Sequence, residues 1–272
     1  MSQREPGAAS QRQPMARHII STLVLWAGLT AIGEAAVFLN LFPTVGSHEA
    51  EEFDRIFRIL LFMGIPVFTF VISVVTYSFF VFRVKGRDGS AGPAFRGTGA
   101  VPRIWLAITG SLAILVMIYP GLTGLAKLQS DGSGYGWGKT EGELTVKVTG
   151  FRFSWQFDYP DGTQLVGPGK ELVLPVNTDI KFEVGSVDVV HSFWIPAFRM
   201  KIDAIPGRTT FMTVHPVLTG EFATDAAYRV QCAELCGLNH TDMSYPVRVV
   251  EKAEFEHWLA AQPKPGDRAQ GR

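Results

Sequence analysis

The sequence predicts a membrane-anchored all-β protein in which transmembrane helices precede an antiparallel β-sandwich. The first half of the chain contains three long apolar runs, each able to cross a hydrocarbon core of about 30 Å. The second half contains short segments in which polar and apolar residues alternate, separated by Asp-Gly, Gly-Pro and Pro-Gly turns. The 272 residues are 47% hydrophobic and carry a formal net charge of zero, which does not indicate a nucleic-acid-binding protein.

The N-terminal region predicts a tail followed by membrane spans. Residues 1–17 are polar and rich in Arg, Gly and Pro, which is typical of a disordered cytoplasmic tail. The transmembrane region covers residues 18–128, with three apolar helices predicted at His18–Phe42, Ile56–Phe82 and Ile104–Ala126. The first run could instead be a signal sequence cleaved near the GEAA motif at residues 33–36. We favour its retention, because it is longer than the roughly 7–15 apolar residues of a typical signal core.

Charged residues between the apolar runs predict the topology. The segment Ser47–Asp54 is acidic, and we expect a loop there. The second run ends in basic residues, and the loop after it adds further arginines: Arg83, Lys85, Arg87, Arg96 and Arg103. Basic loops stay in the cytoplasm, so the acidic loop and the globular domain lie outside it. We therefore expect a multi-pass protein of a prokaryotic inner membrane, with its domain on the periplasmic side.

The C-terminal half predicts a linker, a β domain and a short helix. A glycine-rich linker covers residues 129–142, and the domain covers residues 143–262. Strands are predicted from Leu144 onward and at Glu171–Pro175, Ile180–Val184, Thr209–Val214 and Tyr245–Val250, a spacing that favours an antiparallel sandwich or barrel. A helix at Lys252–Ala261 closes the domain, and residues 263–272 form a disordered tail.

The segment from Tyr228 to Tyr245 carries the chemistry of the chain. It contains both cysteines of the protein, Cys232 and Cys236, followed by His240 and Met243. Thiolate, imidazole and thioether groups form a soft ligand set that favours copper over Mg²⁺ or Ca²⁺. The spacing Cys-x3-His-x2-Met has the order of a blue-copper loop, and the second thiolate could bridge two coppers. His191, which follows a strand-like run, is the most plausible second imidazole.

Two other interpretations of the cysteines remain open at this point. In an exported domain, two cysteines commonly form a disulfide, but that reading leaves the nearby His and Met unexplained. A zinc site is less consistent with the pattern, because methionine is a poor zinc ligand. The remaining histidines lack companions of this kind and are interpreted as ordinary surface or loop residues.

With these residues in place, the chain resembles cytochrome c oxidase subunit II. The segment CAELCGLNHTDM resembles the CuA loop of that family, and DVVHS and KIDAIPGR resemble its upstream signatures. The resemblance implies a cupredoxin-like fold and a binuclear CuA centre bridged by two thiolates. It also implies the following metal ligands: His191, Cys232, Glu234 through its carbonyl, Cys236, His240 and Met243. The side chain of Glu234 would then be free to help bind a magnesium ion at the interface with subunit I.

The resemblance also implies a role in electron transfer and a set of partners. A c-type cytochrome or another one-electron donor would reduce CuA, and the electron would pass to haem in subunit I. That subunit, with its haems and CuB, would reduce oxygen, and further oxidase subunits would complete the complex in the lipid membrane. The chain contains no Cys-x2-Cys-His motif, so a cytochrome domain would have to be a separate protein.

The chain departs from the family pattern at two places. The family's exposed tryptophan, through which electrons enter, aligns with Phe153, whereas a second tryptophan is kept as Trp155; we expect one of these two, or a different donor, to serve that step. Acidic residues such as Asp158, Asp188 and Asp225 could attract a basic donor. Near Trp105, Pro102 stands where family members often have a Glu near a proton channel, so that role is not carried over.

Three alternative functions are kept. A CuA subunit of a haem-copper nitric oxide reductase shares the loop and differs in its partner. A membrane-anchored copper chaperone of the Sco type also uses Cys-x3-Cys with a His, but on a thioredoxin-like fold, and this chain has no βαβ pattern. A structural, disulfide-containing membrane subunit would leave the His and Met residues as coincidences.

Overall fold

The structure, a computed structural model, describes residues 15–39, 41–83, 97–130, 135–136, 143–167 and 169–264. It divides into two compact units, one comprising Met1–Asn40 and Arg58–Leu112, the other Leu41–Phe57 and Ala113–Arg272. Most of the predicted N-terminal tail, the basic loop after the second apolar run, most of the glycine-rich linker and most of the C-terminal tail lie outside the described residues.

The three predicted apolar runs form helices. Helix α1 covers Met15–Val37, α2 covers His48–Val81 and α3 covers Ala100–Val116; a π-helical turn, Met117–Leu122, then leads into α4, Thr123–Ser130. By length and composition, Met15–Val37, His48–Val81 and Ala100–Ala126 are all able to cross a membrane. The chain is therefore membrane-anchored.

Two details of these helices differ from the prediction. The acidic segment is no loop, because α2 already begins at His48. The Ser47 hydroxyl accepts the backbone N–H of Ala50 at 3.2 Å, and Glu49 and Glu51 lie in the first turn, where the helix dipole favours negative charge. The third run is not one continuous α-helix either. Tyr119 has extended backbone angles (φ −133°, ψ 120°), because the residue before a proline, here Pro120, is displaced from the helical region.

Helices α1 and α2 are joined by polar contacts within the first unit. The Trp26 indole N–H donates to the Pro66 carbonyl at 2.7 Å, and the hydroxyls of Thr30 and Thr69 lie 2.7 Å apart. Near the other end of the pair, the His18 Nδ1 atom lies 3.0 Å from the hydroxyl oxygen of a tyrosine on α2. Since lipid offers no hydrogen-bond partners, these contacts satisfy side-chain and carbonyl groups inside the pair.

The second unit contains a β-sandwich, as predicted. Its strands are β1 Tyr135–Gly136, β2 Leu144–Phe151, β3 Ser154–Asp158, β4 Gln164–Val166, β5 Leu172–Pro175, β6 Ile180–Ser186, β7 His191–Trp194, β8 Lys201–Ala204, β9 Thr210–Val214, β10 Gly220–Glu221, β11 Arg229–Cys232 and β12 Ser244–Val250; helix α5, Lys252–Ala260, follows. One sheet has the strand order β1-β9-β6-β2-β3-β4, and the other β10-β12-β11-β7-β8 with β5 beside β12.

The strands form both parallel and antiparallel pairs, whereas the sequence predicted an antiparallel sandwich. Strand β2 runs parallel to β6, and β5 runs parallel to β12, while the other pairs are antiparallel. Alternation along a strand fixes which face is buried but not the direction of its partner. Strand β1 also lies within the predicted linker and pairs with β9. The core between the sheets is apolar, and its largest fully buried side chains are aromatic: Trp155, Tyr228, Phe157, Phe182, Phe193 and Phe198.

The segment Leu41–Phe57 packs onto the sandwich through one arginine. Arg199 follows a short 3-10 helix and has a positive φ of 59°. Its guanidinium group donates to both carboxylate oxygens of Asp54, at 2.8 and 2.9 Å, and also to the carbonyls of Pro43, Thr44 and Pro196. The side chains of Arg199 and Asp54 are only 9% and 6% exposed. The buried ion pair therefore ties the start of α2 to the β domain.

Candidate metal centre

The cysteine loop connects β11 to β12 and is fastened at its base. The backbone N–H of Cys232 donates to the Met243 carbonyl at 3.1 Å, which closes the loop on itself. The next N–H, of Ala233, donates to the Ser192 carbonyl at 2.9 Å, which ties the loop to β7. Strand β7 begins with His191 and pairs with β11. The fold thus brings His191 to the loop from 41 residues upstream of Cys232.

Both cysteines are buried free thiols at the centre of a group of donor atoms. Their sulfurs lie 4.0 Å apart. The Cys232 sulfur lies 3.9 Å from His191 Nδ1 and 3.2 Å from the Glu234 carbonyl oxygen. The Cys236 sulfur lies 3.6 Å from His240 Nδ1 and 3.4 Å from Met243 Sδ. The other four residues expected as ligands therefore each place a donor atom beside one of the two thiols.

This donor set suits a soft metal. The ligand atoms of His191, Cys232 and Cys236 all lie within 4.8 Å of one another and are buried, so this His/Cys/Cys cluster could hold a metal ion. Two thiols, two imidazoles, a thioether and one carbonyl match copper better than a hard cation. The sulfurs are not joined, since a disulfide would bring them to about 2.05 Å. The residues present therefore fit the copper centre that the sequence predicts.

The Cys236 thiol is protonated at neutral pH. Burial, together with the neighbouring Cys232, raises the pKa of Cys236 to about 11. A thiol must lose its proton to bind a metal, so metal binding here releases protons.

Asp188 orients His191 from the side opposite the thiols. Its carboxylate oxygen Oδ1 lies 2.9 Å from His191 Nε2, so the imidazole donates from Nε2 and leaves Nδ1 to face Cys232. The same carboxylate accepts the backbone N–H groups of Arg152 and Val189 at 2.8 and 2.6 Å, and the Arg152 guanidinium at 3.3 Å. Partial burial alone would raise the pKa of Asp188, but the hydrogen bonds from His191, Arg152 and Val189 outweigh it and hold the pKa well below its usual range. Asp188 is therefore an anion that fixes the His191 ring.

The two aromatic residues considered for electron uptake lie in different environments. Trp155 is completely buried and meets the rings of His191 and Phe193 edge-on, with centroids 5.8 Å from each. Trp155 therefore offers no exposed surface to a donor, and its role in electron entry stays a prediction. Phe153 is partly buried, and its ring lies over Gly237 of the cysteine loop, where an added Cβ would come within 3.0 Å of it. Phe153 is the one of the two that borders the surface beside the loop.

The three acidic residues considered for steering a basic donor are engaged in local hydrogen bonds. Asp188 binds His191 and Arg152, as described. Asp225 accepts the Thr44 hydroxyl and the Ala227 N–H. Asp158 accepts two glutamine side-chain amides, including that of Gln164 at 2.7 Å. From the sequence, Asp188 was interpreted only as a surface charge. Its position three residues before His191, on the turn into β7, could have indicated its contact with the His191 imidazole.

Comparison with known proteins places this geometry in a family. Residues 163–251 match the family model for the periplasmic domain of cytochrome c oxidase subunit II. Heme-copper oxidase subunit 2 of Aeropyrum pernix is 34% identical over 212 residues, which cover 74% of this chain and 86% of that protein. The chain belongs to the cytochrome c oxidase subunit II family.

Two further similarities were found. Cytochrome c oxidase subunit 2 of Thermostichus vulcanus is 31% identical over 266 residues, covering 80% of this chain and 77% of that protein. The crystal structure of the periplasmic domain of subunit II of cytochrome oxidase from Bradyrhizobium japonicum is 36% identical, covers 45% of this chain and 94% of that chain, and has a TM-score of 0.40. As a member of the family, this subunit is part of an oxidoreductase complex, and its cupredoxin-like sandwich excludes the thioredoxin-like copper chaperone.

Proposed function

We propose that this subunit II is the electron-accepting subunit of a respiratory haem-copper terminal oxidase. A c-type cytochrome or another one-electron donor delivers electrons to a binuclear CuA centre, and haem in subunit I receives them for the reduction of oxygen. The single observation that supports this proposal is the convergence of four other donor atoms on two buried, free thiols. Nitric oxide as the terminal acceptor is not favoured by any contact of the described residues.

The six ligands have distinct roles in the proposal. Cys232 and Cys236 would supply the thiolate ligands of two coppers, and His191 and His240 would each supply an imidazole ligand to one of them. Met243 and the carbonyl of Glu234 are the weak ligands. The bound centre supplies one-electron chemistry, with a single electron shared between two metals. The protein contributes burial and fixed positions for the ligands, which keep the geometry similar in both redox states.

The test is electron paramagnetic resonance with copper quantitation on the detergent-solubilised full chain loaded with copper. We expect one unpaired electron shared by two copper nuclei in the wild type and loss of that signal in Cys232→Ser. Thr241→Ala is the matched control, because this exposed residue lies in the same loop and no donor atom of it faces the thiols. A spectrum from a single copper nucleus in the wild type would overturn the proposal.

The surface beside the loop suits a donor with an apolar contact face. Leu235 and Leu238 flank Cys236 and Gly237 and are 79% and 95% exposed. Gly237 contacts the ring of Phe153, and the neighbouring Arg152 binds Asp188, beside which Val187 is 72% exposed. These apolar side chains share the exposed part of the cysteine loop with polar residues that include Glu234 and Asp242. Because the two leucines are the most exposed apolar groups of the loop and Arg152 pairs with Asp188, we propose that the donor is held by apolar contact more than by charge.

This proposal for the donor is tested by the kinetics of reduction. We expect Leu238→Asn to lower the second-order rate of reduction by a soluble reduced c-type cytochrome about tenfold, since loss of a central contact residue costs on the order of 1–2 kcal/mol. Leu218→Asn, at an exposed leucine outside the loop, is the control. A wild-type rate that falls steeply with ionic strength, together with an unchanged rate in Leu238→Asn, would refute apolar docking.

The membrane arrangement forms a second part of the proposal. We infer three spans in a prokaryotic inner membrane, with α1 retained and the β domain on the periplasmic side. The contacts of Trp26 and Thr30 with α2 support retention, since they join α1 to α2 through specific polar groups of the kind that link membrane helices. Intact mass measurement of the chain purified from native membranes is the test. A mature N-terminus near residue 36 would contradict retention.

The Glu234 side chain is assigned a separate role. Its backbone carbonyl faces Cys232, and the residue is exposed. We propose that its carboxylate contributes to a magnesium site at the contact with subunit I, since Mg²⁺ prefers carboxylate and water oxygens. Loss of bound magnesium from the purified oxidase in Glu234→Gln, with the copper signal unchanged, is the expected result.

A further inference from the structure

Strand β2 breaks its own pattern at the point where it passes the metal centre. Its inward-facing positions are Leu144, Val146, Val148 and Gly150, all buried, so three bulky apolar residues are followed by one without a side chain. Glycine is unfavourable inside a strand and commonly marks the close approach of another group. Gly150 pairs in register with Trp155 on β3 and with Ser186 on β6, so it lies in the interior of the sheet.

The group that approaches Gly150 is the imidazole of His191. A Cβ atom at Gly150 would lie 3.0 Å from His191 Cδ2 and 3.2 Å from His191 Cγ. It would also lie 3.0 Å from Cζ3 of Trp155, which itself meets the His191 ring edge-on. These separations are shorter than ordinary van der Waals contacts, so the imidazole occupies the space that a side chain would need.

The His191 ring can move in only one way, by turning about its hydrogen bond to Asp188. Its Nε2 atom is held by Asp188 at 2.9 Å, and Asp188 is in turn fixed by two backbone N–H groups. Trp155 blocks a second side and is itself completely buried against Phe193. A methyl group at Gly150 would therefore turn the ring about its hydrogen bond to Asp188 and displace Nδ1 relative to the Cys232 sulfur, now 3.9 Å away.

We propose that Gly150 is a positioning residue for the metal centre, which sets the place of His191 Nδ1 by having no side chain. This inference rests on the proposed function, because it assigns Gly150 a role through a ligand of that centre. It predicts that Gly150→Ala binds copper in the wild-type stoichiometry but makes the two metals inequivalent, since only one of them is bound through His191.

The experiment compares copper-loaded full-length wild type, Gly150→Ala and Gly185→Ala. Gly185 lies on the adjacent strand β6, and a Cβ there would meet only the Arg208 carbonyl oxygen, at an ordinary 3.4 Å. We expect Gly150→Ala to shift the copper hyperfine pattern and the midpoint potential, with Gly185→Ala matching the wild type. Thermal unfolding of the copper-free proteins reports on folding independently of the metal.

Each outcome decides the question. A wild type without a shared-electron signal refutes the proposed function itself and leaves no ligand for Gly150 to position. A normal wild type with identical spectra and potentials in Gly150→Ala overturns the positioning role alone. Should Gly150→Ala fail to fold, the double variant with Trp155→Phe removes the outer indole atoms from the new methyl group. A folded double variant with an altered spectrum supports the proposal; a wild-type spectrum, or failure to fold, assigns Gly150 a purely structural role.

Discussion

Replacement of Asp188 by asparagine tests how much of the metal affinity depends on the residue behind His191. The carboxylate uses both oxygens as acceptors: Oδ1 faces His191 Nε2 and the Val189 N–H, and Oδ2 faces the Arg152 backbone and guanidinium groups. In Asp188→Asn one oxygen becomes an NH₂ group. If the remaining oxygen accepts the hydrogen bond from His191, the NH₂ group faces the two N–H donors of Arg152. In the reverse orientation, the NH₂ group faces the N–H of His191 Nε2.

The expected loss follows from this mismatch. Removal of a carboxylate that orients a metal-ligating histidine typically weakens metal binding 10- to 100-fold, or about 1.4–2.7 kcal/mol. The upper half of that range is expected here, because either orientation of the amide sets donor against donor. Loss of the negative charge also favours the more reduced, less positive centre, so the midpoint potential should rise.

Copper competition titration and redox potentiometry on the full chain measure both effects. Asp179→Asn is the matched control, because Asp179 forms the same kind of contact with His215, at 2.7 Å, but both side chains are exposed, at 54% and 37%. An affinity within about twofold of wild type in Asp188→Asn would refute the argument, since it would show that His191 keeps its position without its anion.

Three further predictions concern the same domain. Arg199→Ala should lower the free energy of unfolding by about 3–5 kcal/mol, because it leaves Asp54 buried without its ion-pair partner. Arg199→Gly should lower it by about 0.5–1 kcal/mol less, because glycine adopts the positive φ of this position without strain. Equal losses of the two variants in denaturant titrations would contradict this argument. Because the pKa of Cys236 is raised to about 11, copper binding near pH 7 should release protons and its apparent affinity should fall with decreasing pH; a pH-stat trace without acid release would be incompatible. Hydrogen bonds from the Thr44 hydroxyl and the Ala227 N–H lower the pKa of Asp225 in the folded protein. The contribution of Asp225 to stability is therefore complete above the unfolded pKa of about 3.9 and is lost as the pH falls through the folded pKa. Asp225→Asn should remove this part of the acid sensitivity in unfolding curves.

The parts of the site that the sequence predicted are those encoded locally or by residue type. Cys232, Cys236, His240 and Met243 lie within one loop, so their spacing alone brought them together. His191 is distant in sequence, but its place at a strand boundary indicated a loop position. The three spans and the alternating strands were predictable for the same reason, because hydrophobic length and period are local properties.

The remaining contacts depend on tertiary neighbours and could not be read from spacing. Nothing in the sequence says that Gly150 faces His191, since that requires the sheet containing β2 to pack against the sheet containing β7. The acidic segment was mistaken for a loop because its residues are polar, while the structure stabilises it as the start of α2 through contacts such as that of Asp54 with Arg199. The burial of Trp155 likewise depends on Phe193 from the opposite sheet.

The way in which the ligands are held bears on how the centre would work. His191 is fixed by Asp188 and by the bare Cα of Gly150, and the cysteine loop is fixed by Cys232 and Ala233 through the backbone. These contacts are hydrogen bonds and packing contacts of the protein itself, and they position the donor atoms. Electron transfer is fast when little has to move between the oxidised and reduced states, and ligands held by independent contacts move little. In the proposed function, the contribution of this subunit to electron transfer would therefore be the rigidity of its sandwich, and not a reactive side chain.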